Sequence, residues 1–270
     1  MATLDLENPK YFMDDPREAG RLDAKVDPKE FIDTFLASYR PADTGATLVD
    51  IGCGAGAIAS AVAGHYTSAQ VRGVDLSTER LKAARQKSES LDNITFMEGN
   101  IYDLPLEDNV ADFIYTRFLL EYLKEPVKGI KEMYRVCKLN GMIMMQDLDG
   151  QLLSHYPETI ENFDKVIEGM KATGFDPSIG KKLYHYGLQA GFKLEHIDIR
   201  PYHQILGKID DKNDYLWDLK MEIALPQFEK ILGSQALAQK FKDDFMAYLR
   251  DEETIMYSNL ITVYLKKPTA

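Results

Sequence analysis

The chain has 270 residues, 45% of them hydrophobic, and a formal charge of −11. That is enough apolar material for a sizeable core, and too negative a chain, with no basic stripe to offset it, for a nucleic-acid backbone or an anionic membrane. No run of about eighteen apolar residues occurs and the start carries Asp5 and Glu7 instead of a basic leader, so a cytoplasmic protein with no nucleic-acid or membrane partner is expected.

Residues 1–40 read as an N-terminal lid and helix. Tyr11, Phe12 and the stretch from Glu18 to Leu22 are aromatic and charged, with no long helix of their own, and are expected to order over a ligand. Thr47 to Ile51 has the β-branched and aliphatic character of a buried parallel strand. It runs through Asp50 into Gly52, Cys53, Gly54, Ala55 and Gly56, and Ala57 to Ala63 continues as a small-residue helix. Alternating glycines permit positive φ and close approach of backbone to ligand, and the N–H groups of such a turn can face a polar molecule.

Gly52-x-Gly54-x-x-Ala57 also satisfies the loose dinucleotide fingerprint. An NAD-dependent oxidoreductase is therefore a rival reading, as is a turn that binds nothing. Asp50 tilts the balance, because a carboxylate at the turn suits a ligand ammonium and repels a pyrophosphate. Val71 to Leu76 is a second strand, closing on Asp75 about twenty residues past the turn, at the distance a βαβ unit requires and in place to take two ribose hydroxyls. Ser77 caps a helix over Thr78 to Ser88.

Ile94 to Glu98 is a third strand, followed by a loop in which Asn100 offers an amide and Ile101 an apolar face to a planar ring. Val110 to Arg117 is a fourth strand, with Arg117 on the ligand edge of an open sheet. The ordinary alternative for Arg117 is an ion pair with Glu121, four residues on. Cys53 lies in the turn and Cys137 on a helix by this reading; the pair has no zinc spacing and fits reduced thiols.

The ordered set V-D-I-G-C-G-A-G, G-V-D-L-S, E-G-N-I-Y-D-L-P-L and A-D-F-I-Y-T-R-F-L-L-E-Y-L, over about residues 44 to 150, resembles the class I S-adenosylmethionine-dependent methyltransferases, small-molecule branch. The stretch Ile130 to Gly141 resembles that family's helix and glycine turn before strand five. The resemblance implies a doubly wound, Rossmann-like α/β sheet of seven strands with an N-terminal lid, and S-adenosyl-L-methionine as cofactor. It implies Asp50, Gly52, Cys53 and Gly54 against the methionine part, Asp75 and Leu76 at the ribose, and Asn100 and Ile101 at the adenine. Arg117 and Arg21 would bracket the carboxylate, and Tyr11 is expected among the cofactor-binding residues. Two departures stand out: Asn100 where the family often has Asp, and Leu139-Asn140-Gly141 where it has Pro-Gly-Gly.

The cofactor core is taken as residues 41–150, and 151–270 as the rest of the sheet. Helices are expected from Glu158 to Ala172 and from Ser178 to Ala190, and strands over 192–199 and 254–265. Residues 202–253 read as a helical cap insertion, broken at Pro226, whose Tyr202, Tyr215, Trp217 and Phe228 suit either a planar, apolar acceptor or ordinary packing.

Methyl transfer to a small-molecule acceptor is an in-line displacement needing position more than a base. A non-catalytic cofactor-binding homologue is the remaining rival. If a base operates, His155, His203, Tyr11 and Tyr122 are candidates. Asp147 and Asp149 end strand five, but a third ligand is missing and no metal is expected.

Overall fold

The computed structural model describes residues 13, 15–36, 45–205 and 209–269. Seven strands form one sheet in the order β3-β2-β1-β4-β5-β7-β6. Strands β1 (Thr47–Ile51), β2 (Gln70–Asp75), β3 (Ile94–Glu98), β4 (Ala111–Arg117) and β5 (Cys137–Tyr156) run parallel. Strand β7 (Ile255–Lys266) is antiparallel to both β5 and β6 (Ile197–Ile205). Strand order reverses between β1 and β4, and the crevice beyond their carboxyl ends is where sheets of this kind take ligands.

Neighbouring residues on the central strands pack on opposite faces, as period-two side chains must. Val49, Ile114 and Ile143 face Ile130, Met133 and Val136 of helix α5 (Pro126–Val136). Leu48, Phe113, Tyr115 and Met144 face Ala59, Val62 and Ala63 of helix α3 (Ala57–His65). With helices on both sides, all five residues of β1 are buried, Asp50 included. The alanines of α3 let it lie close to the sheet.

Helix α1 (Pro16–Lys25) is capped by Asp15 and primed by proline in its first turn. It falls within the segment read as lid and helix, and spans the Glu18 to Leu22 stretch for which no long helix is expected from the sequence. Phe31, Ile32, Phe35 and Leu36 then tie the segment after it to the sheet. Tyr11 and Phe12 lie outside the described residues.

Several boundaries move. Cys137 begins β5 opposite Ala111 instead of riding on a helix; the strand partner overrides the continued apolar spacing. The helix expected from Glu158 starts at Phe163, after Asn162 takes positive φ. The strand expected from Phe192 starts at Ile197, because a turn of 3-10 helix from Leu194 to His196 intervenes and Ile197 pairs with Leu265. Tyr202 accordingly belongs to β6, its ring edge-on to Phe35 at 4.9 Å.

The insertion between β6 and β7 is a pair of helices, α8 (Asp211–Leu232) and α9 (Gln235–Arg250). Pro226 does not break it. One lost hydrogen bond is outweighed by the burial of Met221, Ala224, Phe228 and Leu232 against Phe241 and Phe245. Among the described residues no helix is long and apolar enough to cross a membrane.

Gly73 on β2 tests the closeness of this packing. A Cβ there would lie 2.5 Å from the Phe96 ring and 2.9 Å from the Cys53 sulfur. Gly73→Ala is expected to lower stability in urea by about 2 kcal/mol. Gly64→Ala, on α3 with nothing within 4 Å of the new methyl, is expected to raise it by about 0.5 to 1 kcal/mol.

Candidate functional site

A cavity of about 290 Å³ opens at the carboxyl ends of β1 and β4. The turn after β1 forms its floor. Gly52, Gly54 and Gly56 all have positive φ, at 76°, 53° and 78°, which L side chains rarely adopt. A side chain on Gly56 would meet the Ala84 Cβ at 2.8 Å, so that glycine serves packing. A Cβ on Gly54 would meet nothing within 4 Å. The backbone there faces open space.

Asp75 fixes the turn. Its Oδ2 accepts from Gly54 N at 2.8 Å and its Oδ1 from Ser77 N at 2.9 Å, so one carboxylate joins the glycine turn to the start of helix α4 (Thr78–Lys87). Each oxygen keeps a lone pair for a ligand. Asp50, one strand over, is 5% exposed, and burial and then the charge of Asp75 push its carboxyl up to about 8, against a smaller pull from Arg117. Burial and these two acids also push the Cys53 thiol well up, which argues against a nucleophilic role.

Arg117 ends β4 with its Nε donating to Gln146 Oε1 at 2.8 Å, and Gln146 Nε2 in turn donates to Thr262 at 2.9 Å. Its guanidinium lies 4.5 Å from the Phe118 ring centroid. Phe118 holds φ at 53°, a strained value for a bulky residue that turns the chain across the cavity mouth. Among the described residues Arg117 forms no ion pair, so the expected alternative partner Glu121 is not engaged. Burial pulls Arg117 down to about 10. It remains charged at neutral pH.

Asp50, Gly52, Cys53, Asp75, Leu76, Asn100, Ile101, Arg117 and Arg21 all line the cavity; Gly54, in the same turn, is not among the lining residues and is tied to Asp75 through its N–H. Asn100 spends one lone pair of Oδ1 on Tyr102 N at 3.0 Å, leaving its amide nitrogen as the main handle for a ligand. Arg21 is already bidentate to Glu18, at 2.7 and 2.8 Å, with both side chains buried. The carboxylate partner expected of Arg21 would have to share it with this internal acid.

The candidate bases fare differently. His155 does not line the cavity; its ring packs 4.3 Å from Phe163 and 5.8 Å from Tyr248. His203 pairs through its backbone with Asn259, and its side chain lies outside the described residues, as does all of Tyr11. Tyr122 does line the cavity. Tyr215 is 64% exposed and Trp217 and Phe228 line a separate 40 Å³ cleft between helices, so the cap aromatics do not reach the main cavity. Asp147 is fully buried and accepts from Leu120 N at 3.0 Å, and burial and Glu121 push it well up. No group of metal-ligating side chains occurs among the described residues.

Among the lining residues that the sequence reading did not single out as ligand-facing are Lys25, Glu121 and Lys220. Lys220 carried a signal, since its helical neighbours Leu216, Trp217, Ile223 and Ala224 are all apolar.

A family profile described as a methyltransferase domain matches residues 49–145. A demethylmenaquinone methyltransferase of Staphylococcus aureus is 32% identical over 204 residues, covering 74% of this chain and 78% of that one. An uncharacterized methyltransferase of Schizosaccharomyces pombe is 29% identical over 161 residues, 56% of this chain and 58% of its own. The chain spans less than about three fifths of the length of the first curated relatives it matches. Among solved structures, a phosphoethanolamine N-methyltransferase of Haemonchus contortus shares the fold at a TM-score of 0.59 with 19% identity, covering 96% of this chain and 60% of that one.

The raised carboxyls have a consequence for stability. Asp50 and Glu121, held up at about 8 and about 7, bind protons in the folded chain that the unfolded chain has released above the ordinary carboxylate range. Stability therefore falls as pH rises from about 5 to 7. Asp50→Asn is expected to flatten that fall in urea titrations, and an unchanged slope would count against a protonated Asp50.

Proposed function

The chain belongs to the class I S-adenosylmethionine-dependent methyltransferases, and from that premise we propose that it moves a methyl group from S-adenosylmethionine to a small-molecule acceptor held in the 290 Å³ cavity. What carries the reading is the meeting, at one cavity, of a glycine turn, the Asp75 carboxylate and an Arg117 guanidinium that forms no ion pair among the described residues.

These residues fit the cofactor group by group. Gly52, Cys53 and Gly54 would lie against its methionine part, Asp50 near the ammonium and Arg117 near the carboxylate, with Arg21 behind. Asp75 and Leu76 would take the ribose, and Asn100 and Ile101 the adenine. Asp75 at the end of β2 would serve the ribose of either cofactor, whereas Asp50 in the turn suits a ligand ammonium, which the nicotinamide alternative lacks there.

When bound, the cofactor supplies an electrophilic methyl group on a sulfonium. The chain's own contribution is orientation and dryness. Leu22, Ile51, Leu119, Leu123 and Leu148 line the cavity, and such walls exclude water and align an apolar acceptor for in-line attack. Helix α1 contributes Arg21, Leu22 and Lys25 to that lining, so the N-terminal segment acts as a lid. With His155 outside the cavity, Tyr122 is the candidate base among the described residues that lines it, and position carries the rest of the reaction in this reading.

The test is calorimetric binding of S-adenosylhomocysteine. Arg117→Lys, which keeps charge but loses the planar fork, and Asp75→Ala are each expected to weaken binding by about 2 kcal/mol, roughly thirtyfold. Wild-type affinity in both folded variants would overturn the site assignment.

A further inference from the structure

Two lysines at the cavity are left unused by the cofactor assignment. Lys25 ends α1 and Lys220 lies midway along α8; both line the cavity, both are partly buried, and neither forms an ion pair among the described residues. Neither is provided for by its own helix. Lys25 has the cationic Arg21 one turn before it on α1, while Lys220 projects from an apolar stripe. Their ammonium groups rest on aromatic faces, Lys25 at 5.3 Å from the Phe118 centroid and Lys220 at 4.5 Å from that of Trp217.

The surrounding charges do not balance them. Lys25 faces Lys220, Arg21 and Arg117 as cations and Glu121 as an anion. Lys220 faces Arg21, with Glu18 and Glu121. Glu18 is taken up by Arg21, Asp23 pairs with Lys87 and Asp176 with Lys182. Glu121 is 3% exposed, its Oε2 lacks a hydrogen-bond partner, and burial drives it toward the neutral acid. Even fully ionised, it offsets one lysine of the two. Burial, then mutual repulsion, pulls Lys25 down to about 7, and burial, then Arg21, pulls Lys220 down to about 8. In a chain of net charge −11, this is a cation excess raised away from water, where a ligand anion would be held strongly.

We propose that Lys25 and Lys220 together hold an oxyanion of the methyl acceptor, a carboxylate or a phosphate, so that the acceptor is an anionic small molecule clamped between the lid helix α1 and the cap helix α8. The word acceptor rests on the methyltransferase reading; the oxyanion site rests on the lysines alone. Because the two lysines belong to different elements, an anion between them adds a tie between α1 and α8 beside the existing Arg17–Glu222 pair.

The experiment titrates phosphate, acetate and chloride at matched ionic strength into the full chain, with and without saturating S-adenosylhomocysteine, and follows the amide resonances of α1 and α8. Saturable shifts with phosphate or acetate but not chloride are expected, and which of the two binds tighter separates phosphate from carboxylate acceptors. Lys25→Met and Lys220→Met are each expected to weaken that binding at least about tenfold. Both variants are also expected to melt higher, by about 2 to 4 °C, since each removes a desolvated charge. An equal response to chloride, wild-type oxyanion binding in both variants, or lower melting in both overturns the proposal. Failure of S-adenosylhomocysteine to bind the wild type ends the methyltransferase reading instead, and the anion titration without it still decides the oxyanion site.

Discussion

The Asp75 carboxylate is the constraint on which the site depends. It accepts from Gly54 N and Ser77 N, groups on either side of the β1–β2 junction. Hydrogen bonds to a charged acceptor contribute about 1.5 to 3 kcal/mol each, and the one from Gly54 N adds to the backbone bonds of Gly52 N and Cys53 N to Val74 O and of Gly56 N to Cys53 O that hold the rest of the turn. One side chain thus both shapes the turn and presents its remaining lone pairs to the cavity.

A second chain of contacts sets the opposite wall. Thr262 on β7 holds Gln146 on β5, and Gln146 holds Arg117 on β4, so the guanidinium is aimed through three strands. Phe118 then turns sharply, and Leu120 N is caught by the buried Asp147. The result is a cavity rich in groups that folding alone would not choose: Asp50 and Glu121 pushed toward neutrality, and Lys25 and Lys220 pulled down. Such perturbed groups concentrate where ligands bind, and they lower stability in exchange for preorganisation.

The legible part of this molecule is the part written locally. The β-branched and aliphatic run of Thr47 to Ile51, the glycines after Asp50, and the acid ending β2 each fall within a few residues, and the structure brings the ends of both strands to one cavity. Less legible were features decided by distant partners. Cys137 looks helical until Ala111 pairs with it, β5 runs for 20 residues because β7 extends alongside it, and Pro226 is carried within α8 by packing against α9. The contacts of His155 with Phe163 and Tyr248 depend on a helix pairing no local pattern announces. Lys220 was readable as a charge on an apolar face, but its meeting with Lys25 spans the length of the chain.

The most direct measurement is the heat of S-adenosylhomocysteine binding to the wild-type chain near pH 7, in two buffers of different ionisation enthalpy, with NAD as the comparison ligand. A ligand ammonium beside the raised carboxyl of Asp50 requires that carboxyl to ionise, so binding should release a proton and the observed heat should differ between buffers. The account predicts micromolar or tighter S-adenosylhomocysteine binding with proton release and no response to NAD. Binding of NAD in its place, or no binding of S-adenosylhomocysteine to the folded chain, would contradict it.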